Sequence, residues 1–150
     1  MASELHAAVA ERVERTSQRY TSARRALIDV LDSAGRPLTL GEILESGDWP
    51  QSSVYRNLGI LDEAGVLRRI AGEDGRTRYE LSEDLTEHHH HLVCAKCGAV
   101  DDLEASPKLE RAMQRVIDDV TAARGFQPLD HRLDIVGLCS RCVDGEGVGG

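Results

Sequence analysis

Aromatic side chains are scarce in this sequence, which has one Trp, three Tyr and one Phe among its 150 residues. Any core must therefore be aliphatic, without the large area that aromatic rings bury. A chain of this length forms one ordinary domain or two small ones, and a small domain has a thin core. We therefore expect an additional stabilising element, and a bound metal would serve.

Long apolar runs are also absent, and no segment approaches the roughly 18 residues that a membrane-spanning helix requires. Glu4 stands where a secretory signal would carry positive charge. These features predict a cytoplasmic protein without a membrane partner. In a reducing compartment, four cysteines in two C-x-x-C pairs indicate metal ligands rather than disulfides.

Positive charge is in deficit, because 26 acidic residues outnumber 18 Lys and Arg and the formal net charge is -8. This balance argues against nucleic acid as a partner, for which a basic surface is the usual signature. The deficit is uneven, since 11 of the basic and 13 of the acidic residues lie in residues 1–80. A basic face could exist in this near-neutral part, although charge alone favours an ordinary solvated surface.

Helical spacing of apolar residues runs through the beginning of the chain. It predicts an amphipathic helix around residues 5–13 and a second helix that begins near Thr21 or Ser22. Thr39 and Glu42 have the spacing of a capping box, which predicts a short third helix.

Pro50 suits the first turn of a fourth helix. After this helix, strand-like residues 66–70 and 76–81 flank a tight turn at residues 74–75. Helices followed by a hairpin make a winged helix, in which the helix before the hairpin enters the DNA major groove. The sequence therefore predicts a winged helix-turn-helix DNA-binding domain over residues 1–81.

The predicted recognition helix carries side chains suited to DNA. Amides pair with base edges, Tyr contacts a thymine methyl or a phosphate, and Arg holds phosphate or guanine. An ordinary polar helix face explains the same residues, so the pattern alone leaves both interpretations open. The candidate DNA-binding residues are Ser52, Ser53, Tyr55, Arg56, Asn57 and, from the second helix, Arg24.

An acidic stretch over residues 82–87 predicts a linker between two domains. Strand, helix and strand patterns in residues 88–143 predict a small α/β domain, so the whole chain is expected to be α+β. The helix begins at Ser106-Pro107, and a last strand over residues 130–138 leads into the second C-x-x-C. The glycine-rich tail, residues 144–150, is expected to be disordered.

The two C-x-x-C pairs, Cys94 with Cys97 and Cys139 with Cys142, are the most specific motif. Each turn brings two thiolates to one side, and two turns complete the tetrahedral shell of structural zinc. Because such a shell has no open position, the zinc would support folding rather than catalysis. A redox dithiol is the alternative, but it explains two matched pairs less well.

Four consecutive histidines precede the first cysteine pair. In an extended segment alternate side chains point to opposite faces, so His88 and His90 would serve one metal site and His89 and His91 another. A solvated run is the simpler alternative. Imidazole and carboxylate ligands together suit Zn, Fe, Mn, Ni or Co. The candidate partners are Glu110, His131, Glu80, Glu83 and Asp84.

The winged-helix pattern, two further segments and the order in which they follow one another resemble the ferric uptake regulator (Fur) family. The segments are S-V-Y-R-N-L at residues 53–58 and H-H-H-H-L-V-C-A-K-C-G at residues 88–98, followed by the late cysteine pair. The resemblance extends over residues 21–142. It implies a homodimer that binds palindromic double-stranded operator DNA when loaded with metal, and represses metal homeostasis genes. Residues 88–143 would then form its metal-binding dimerisation domain.

The resemblance also implies roles for individual residues. Tyr55 and Arg56 match the DNA-reading helix, and the four cysteines match a structural zinc site. A secondary metal site would consist of His88, His90, Glu110 and His131. Three ligands of an interdomain sensing site would be Glu80, His89 and His91.

The fourth ligand of this sensing site departs from the family pattern. Iron-type members often supply a His where Pro37 stands, and zinc-type members supply an Asp where Arg68 stands. Zinc-type members also carry a Cys after the wing, which is lacking here. The site is therefore expected to be incomplete or rebuilt with Glu83 or Asp84. Zinc is the favoured regulatory metal, with iron, manganese, nickel or peroxide sensing as alternatives.

Two functions of other classes compete with that of a regulator. A zinc-dependent hydrolase needs an open water position and a general base, and the sequence has no H-E-x-x-H motif or comparable pairing. A metal buffer or chaperone would need the histidines but not the winged helix. The sequence therefore favours a regulator that is not an enzyme.

Overall fold

The computed structural model describes residues 2–145 of the chain, which form six α-helices and six strands. The helices are α1 (Ala2–Arg15), α2 (Ser22–Ala34), α3 (Leu40–Glu45), α4 (Gln51–Glu63), α5 (Pro107–Arg124) and α6 (Ser140–Val143). The strands are β1 (Leu38–Thr39), β2 (Leu67–Ala71), β3 (Thr77–Leu81), β4 (His89–Cys94), β5 (Val100–Glu104) and β6 (Asp134–Gly137). Residues 146–150 of the tail that is expected to be disordered lie outside the described residues.

Local signals set the ends of the first helices. The Thr21 side chain accepts a hydrogen bond from the Arg24 amide, and Gly35 ends α2 with a φ of 63°, which favours glycine. The predicted capping box at α3 is confirmed, because Thr39 and Glu42 each accept a hydrogen bond from the other's backbone amide. Pro50 lies just before α4 rather than in its first turn.

The wing is an antiparallel sheet with the strand order β1-β3-β2. The hairpin of β2 and β3 is predicted from the sequence, whereas β1 is not. Leu38 pairs with Tyr79, and Thr39 with Arg78, so β1 forms only because β3 offers it a partner. Two residues are too few to show a strand's alternation in the sequence.

The core of this winged-helix domain is almost entirely aliphatic, as the composition predicts. Residues from α1 to β3 pack into one cluster in which Tyr79 is the single buried aromatic side chain among the residues described. Its other members are Val9, Val13, Leu27, Ile28, Leu31, Leu38, Ile43, Val54, Leu58, Leu61, Val66, Leu67 and Leu81. The winged-helix domain therefore has a continuous core of its own.

The C-terminal domain is a three-stranded sheet, β5-β4-β6, with α5 beside it. Strand β4 pairs antiparallel with β5 and parallel with β6, and β6 begins four residues later than predicted. Only Val93, Val100 and two cysteines are buried apolar residues here, and α5 has no buried residue. This core is thin, as expected for a small domain.

The predicted linker folds against the winged-helix domain. Residues Glu83–Leu85 form one turn of 3₁₀-helix, and the Ser82 hydroxyl donates to the Gly65 carbonyl at 2.8 Å. The Arg12 guanidinium donates to Asp84 and, at 2.8 Å, to the Gly65 carbonyl.

No helix within residues 2–145 combines the length and apolar character needed to cross a bilayer.

Candidate metal sites and recognition helix

Four cysteine side chains converge from the two C-x-x-C turns, and we call this group the four-cysteine cluster. All four Sγ atoms lie within 4.8 Å of one another, and none forms a disulfide. Cys97 Sγ and Cys139 Sγ are 3.7 Å apart. Tetrahedral zinc with Zn–S bonds of about 2.3 Å separates its sulfurs by about 3.8 Å, so this spacing fits zinc.

Backbone amides favour thiolate at the first cysteine of the cluster. The Cys139 and Cys97 amides donate to Cys94 Sγ at 3.4 and 3.5 Å and lower the pKa of Cys94 to about 5. Burial and the neighbouring sulfurs raise the pKa of Cys142 to about 12. Four sulfurs this close need a cation to be ionised together, and a zinc ion would supply that charge.

The four histidines at the start of β4, from His88 just before it to His91, alternate between opposite sides of the strand. His88 and His90 meet Glu110 of α5 and His131, and we call this group the helix-side cluster. His90 Nε2 lies 2.6 Å from Glu110 Oε1, and the Nε2 atoms of His88 and His131 are 3.1 Å apart. Ligands of a tetrahedral metal at about 2.0–2.1 Å are separated by about 3.3 Å, so this geometry also fits a metal.

Glu83 and Asp84 do not complete the sensing site, which corrects the prediction that one of them would. Glu83 Oε1 is 2.5 Å from His88 Nδ1, on the helix side of β4. Asp84 is paired with Arg12. Glu83 therefore suits a supporting role, since a carboxylate on the second ring nitrogen orients a histidine ligand.

His89 and His91 meet Glu80 of the wing strand β3 and Asp102 of β5, and we call this group the interdomain cluster. Glu80 lies 3.0 Å from His89 Nε2 and 3.1 Å from His91 Nε2. Asp102 Oδ1 lies 3.8 Å from both nitrogens. The cluster thus joins side chains of the two domains.

Asp102 was missed as a candidate, although the sequence holds a signal for it. In the β4–β5 hairpin Asp102 is the direct cross-strand partner of His91, so both side chains share a face. The pairing depends on the register of the hairpin, which turns around the first cysteine pair. The site that was expected to be incomplete therefore has a fourth candidate ligand.

The electrostatics of the interdomain cluster favour a cation. Burial opposes ionisation of Glu80, but hydrogen bonds with His91 and His89 outweigh it and hold the pKa of Glu80 below its ordinary value. Burial, together with the charge of Glu80, raises the pKa of Asp102. Two carboxylates and two imidazoles gathered around one point suit a divalent metal.

The helix α4 presents part of its predicted DNA-contacting face to solvent. Gln51, Ser52, Tyr55 and Arg56 are exposed, and the Tyr55 residue is 66% exposed. Ser53 is half-buried. The exposed side chains are accessible to a DNA duplex whose major groove receives α4.

The prediction that Asn57 and Arg24 contact DNA needs correction, because both residues are buried, with an exposed fraction of 7% each. Arg24 Nε donates to Asn57 Oδ1 at 3.1 Å, and its guanidinium also donates to the Arg19 carbonyl. Asn57 lies three residues after Val54 and four before Leu61, on the face that packs inward. Both residues therefore hold α4 against α2 instead of facing outward.

We expect Asn57→Ala to destabilise the winged-helix domain by about 1.5–3 kcal/mol, because the buried Arg24 guanidinium loses a partner. Arg56→Ala, one position earlier but exposed, should change the stability by less than about 0.5 kcal/mol. Urea unfolding followed by circular dichroism measures both. Equal stabilities for the two variants would show that the Arg24–Asn57 pair has no structural role.

The fold and these clusters define a winged-helix protein with a metal-binding second domain. The chain matches the model of the ferric uptake regulator family over residues 15–136, and it belongs to that family. Proteins of this family are metal-responsive transcription regulators.

Two relatives and one solved structure show the extent of the likeness. The ferric uptake regulation protein of Neisseria meningitidis serogroup B is 30% identical over 130 residues, which cover 83% of this chain and 85% of that protein. The protein of the same name in Bacillus subtilis is 40% identical over 92 residues, 61% of this chain and 58% of that protein. The structure of the Helicobacter pylori ferric uptake regulator, described as having three functional metal binding sites, has a TM-score of 0.74 at 22% identity and covers 95% of this chain and 94% of that one.

Proposed function

We propose that this protein is a homodimeric repressor that binds a palindromic operator in double-stranded DNA when metal occupies the interdomain cluster. The observation that carries the proposal is the composition of that cluster. Glu80 comes from the wing, whereas His89, His91 and Asp102 come from the C-terminal domain. A metal held by both sets of ligands ties the recognition helix α4 to the dimerising part of the molecule.

The metal would act by selecting one arrangement of the two domains. A dimer of winged helices reads half-sites about one helical turn apart, so both α4 helices must be spaced correctly. A metal shifts the population toward this arrangement only if it binds that arrangement more tightly. Ligands contributed by both domains supply such a difference, because they meet in only one relative orientation.

The other two clusters have supporting roles in this proposal. The four-cysteine cluster would hold structural zinc and stabilise the thin C-terminal core, and its closed shell leaves no position for a substrate. The helix-side cluster would bind a second ion between β4 and α5. For the regulatory metal we favour zinc, with iron, manganese or nickel as alternatives, because imidazole and carboxylate ligands suit all of them.

Exposed apolar side chains support the homodimer. Val116 and Val120 of α5 are exposed at 57% and 46%, and Ile135 and Val136 of β6 are similarly exposed. Burial of these side chains in an interface would remove apolar surface from water. A second copy of the chain that packs against them would place two α4 helices in one particle.

Contacts with DNA would come from the exposed residues of α4. Tyr55 and Arg56 suit base and phosphate contacts, with Ser52 and Ser53 near the start of the helix. Arg24 and Asn57 would act indirectly, by holding α4 in place.

A metal buffer is the competing function, and the double variant Tyr55→Ala/Arg56→Ala separates it from a regulator. We expect at least about 100-fold weaker binding to duplexes that the zinc-loaded wild-type protein enriches from a random library, because each good contact contributes about 1–3 kcal/mol. Zinc content should not change. Fluorescence anisotropy and elemental analysis measure the two quantities.

Arg124→Ala, an exposed arginine at the end of α5, serves as the control and should retain both properties. Unchanged DNA affinity in the double variant would remove α4 from the proposal. Loss of zinc together with DNA binding would indicate general unfolding rather than a lost contact.

A further inference from the structure

Arg68 lies on the wing strand β2, beside the interdomain cluster. On the wing it is the direct cross-strand partner of Glu80. Its Nη1 atom is 3.8 Å from Glu80 Oε1, and the two side chains are 18% and 7% exposed. A guanidinium is thus held against the one carboxylate that the wing contributes to the cluster.

A permanent positive charge at this place opposes a metal ion. Arginine stays protonated under all ordinary conditions, so it cannot lose its charge as the ion arrives. Both cations would interact with Glu80 within a few ångströms of each other. Because the site is largely shielded from water and salt, their repulsion is only partly screened.

The open cleft between the domains offers Arg68 a second position. Arg68 lines a cavity of about 670 Å³ whose wall also carries three acidic residues, Glu83, Asp84 and Asp130, and one further arginine, Arg132. A guanidinium that leaves Glu80 would therefore remain near negative charge. Displacement by a metal costs the Arg68–Glu80 contact but does not strand the charge in an apolar environment.

We infer that Arg68 is a built-in counter-cation that competes with the regulatory metal for Glu80 and thereby sets the affinity of the interdomain cluster. The inference rests on the proposed function, since it assumes that this cluster binds a metal. In the metal-free protein Arg68 neutralises the buried Glu80 carboxylate. In the loaded protein it weakens binding, so the regulator responds at a higher free metal concentration than its ligands alone would set.

Arg68→Gln tests this role, because it removes the charge and keeps a side chain that forms hydrogen bonds. We expect zinc to bind the interdomain cluster about 10- to 100-fold more tightly, the range that a partly screened charge at this distance allows. Competition with a chromogenic zinc chelator measures the affinity in the full-length protein with the four-cysteine cluster loaded. His90→Ala in every variant removes the helix-side cluster from the titration.

Arg69→Gln is the matched control, since Arg69 is the next residue of β2 but pairs with Asp62 on the other face, 2.9 Å away. Its zinc affinity should stay within about twofold of the parent, as should that of Arg68→Lys, which keeps the charge. If Arg68→Gln does not fold, Arg68→Met provides a second neutral variant. Melting temperatures without regulatory metal identify the folded variants.

A His89→Ala/His91→Ala variant distinguishes the two levels of the proposal. If this variant loses the measured zinc site while Arg68→Gln binds zinc like its parent, the role of Arg68 is refuted and the proposed function stands. If the His89→Ala/His91→Ala variant binds zinc as its parent does, the interdomain cluster is not the zinc site that the titration measures, and both proposals fail. If Arg68→Lys binds zinc more tightly than the parent, and as tightly as Arg68→Gln does, the charge of Arg68 has no role.

Discussion

Cys142→Ser is expected to release zinc from the four-cysteine cluster and to unfold the C-terminal domain. This domain buries few apolar side chains, and Cys94 and Cys142 are themselves part of its small core. Structural zinc sites contribute about 10–16 kcal/mol of apparent binding free energy at neutral pH, more than a domain of this size can replace. The winged-helix domain has its own aliphatic core and should remain folded.

Elemental analysis and hydrogen exchange measure these two effects. Zinc should fall by one equivalent per chain, and amides of β4 and β5 should lose protection while those of α2 and α4 keep it. Ser140→Ala alters the same turn without removing a sulfur, and it should behave like the wild-type protein. A Cys142→Ser protein that keeps its zinc and its protected β4 amides would contradict a structural role for the cluster.

His91→Ala should abolish the dependence of DNA binding on metal. His91 is almost fully buried and its Nε2 lies 3.1 Å from Glu80, so the substitution removes a ligand from the middle of the interdomain cluster. Loss of a metal ligand lowers affinity strongly, and without the metal the two domains are no longer joined. We expect at least about 100-fold weaker DNA binding at a zinc concentration that saturates the wild-type protein.

His90→Ala is the matched comparison, because His90 is the preceding residue of β4, equally buried, and faces the helix-side cluster. Its effect on DNA binding should be smaller, since that cluster draws its ligands from the C-terminal domain and does not include a wing residue. DNA affinity measured across a zinc titration separates the two variants. A larger loss for His90→Ala would move the regulatory role to the helix-side cluster.

Where a feature depends on neighbours in the sequence, the fold and the site could be predicted. The Thr39–Glu42 capping box, the turn at residues 74–75 and the alternation of histidines along β4 each act within a few residues. The separation of His88 and His90 from His89 and His91 follows directly from strand geometry, and the structure places these pairs in different clusters.

Features that depend on packing between distant segments could not be predicted in this way. Strand β1 exists through its pairing with β3, and Asp102 reaches the interdomain cluster through the register of a hairpin. Asn57 has a side chain suited to a DNA contact, but it lies on the inner face of α4, where it accepts a hydrogen bond from Arg24 instead. In each example a tertiary partner decides the role of the residue.

Metal-dependent selection from a random library of double-stranded DNA tests the central claim most directly. The full-length protein would be offered the library once with saturating zinc and once after chelation that spares the four-cysteine zinc. The proposed function predicts enrichment of palindromic sites with zinc and no enrichment without it. Enrichment of the same sites to the same extent in both conditions, or of none in either, would contradict a regulator controlled by the interdomain cluster.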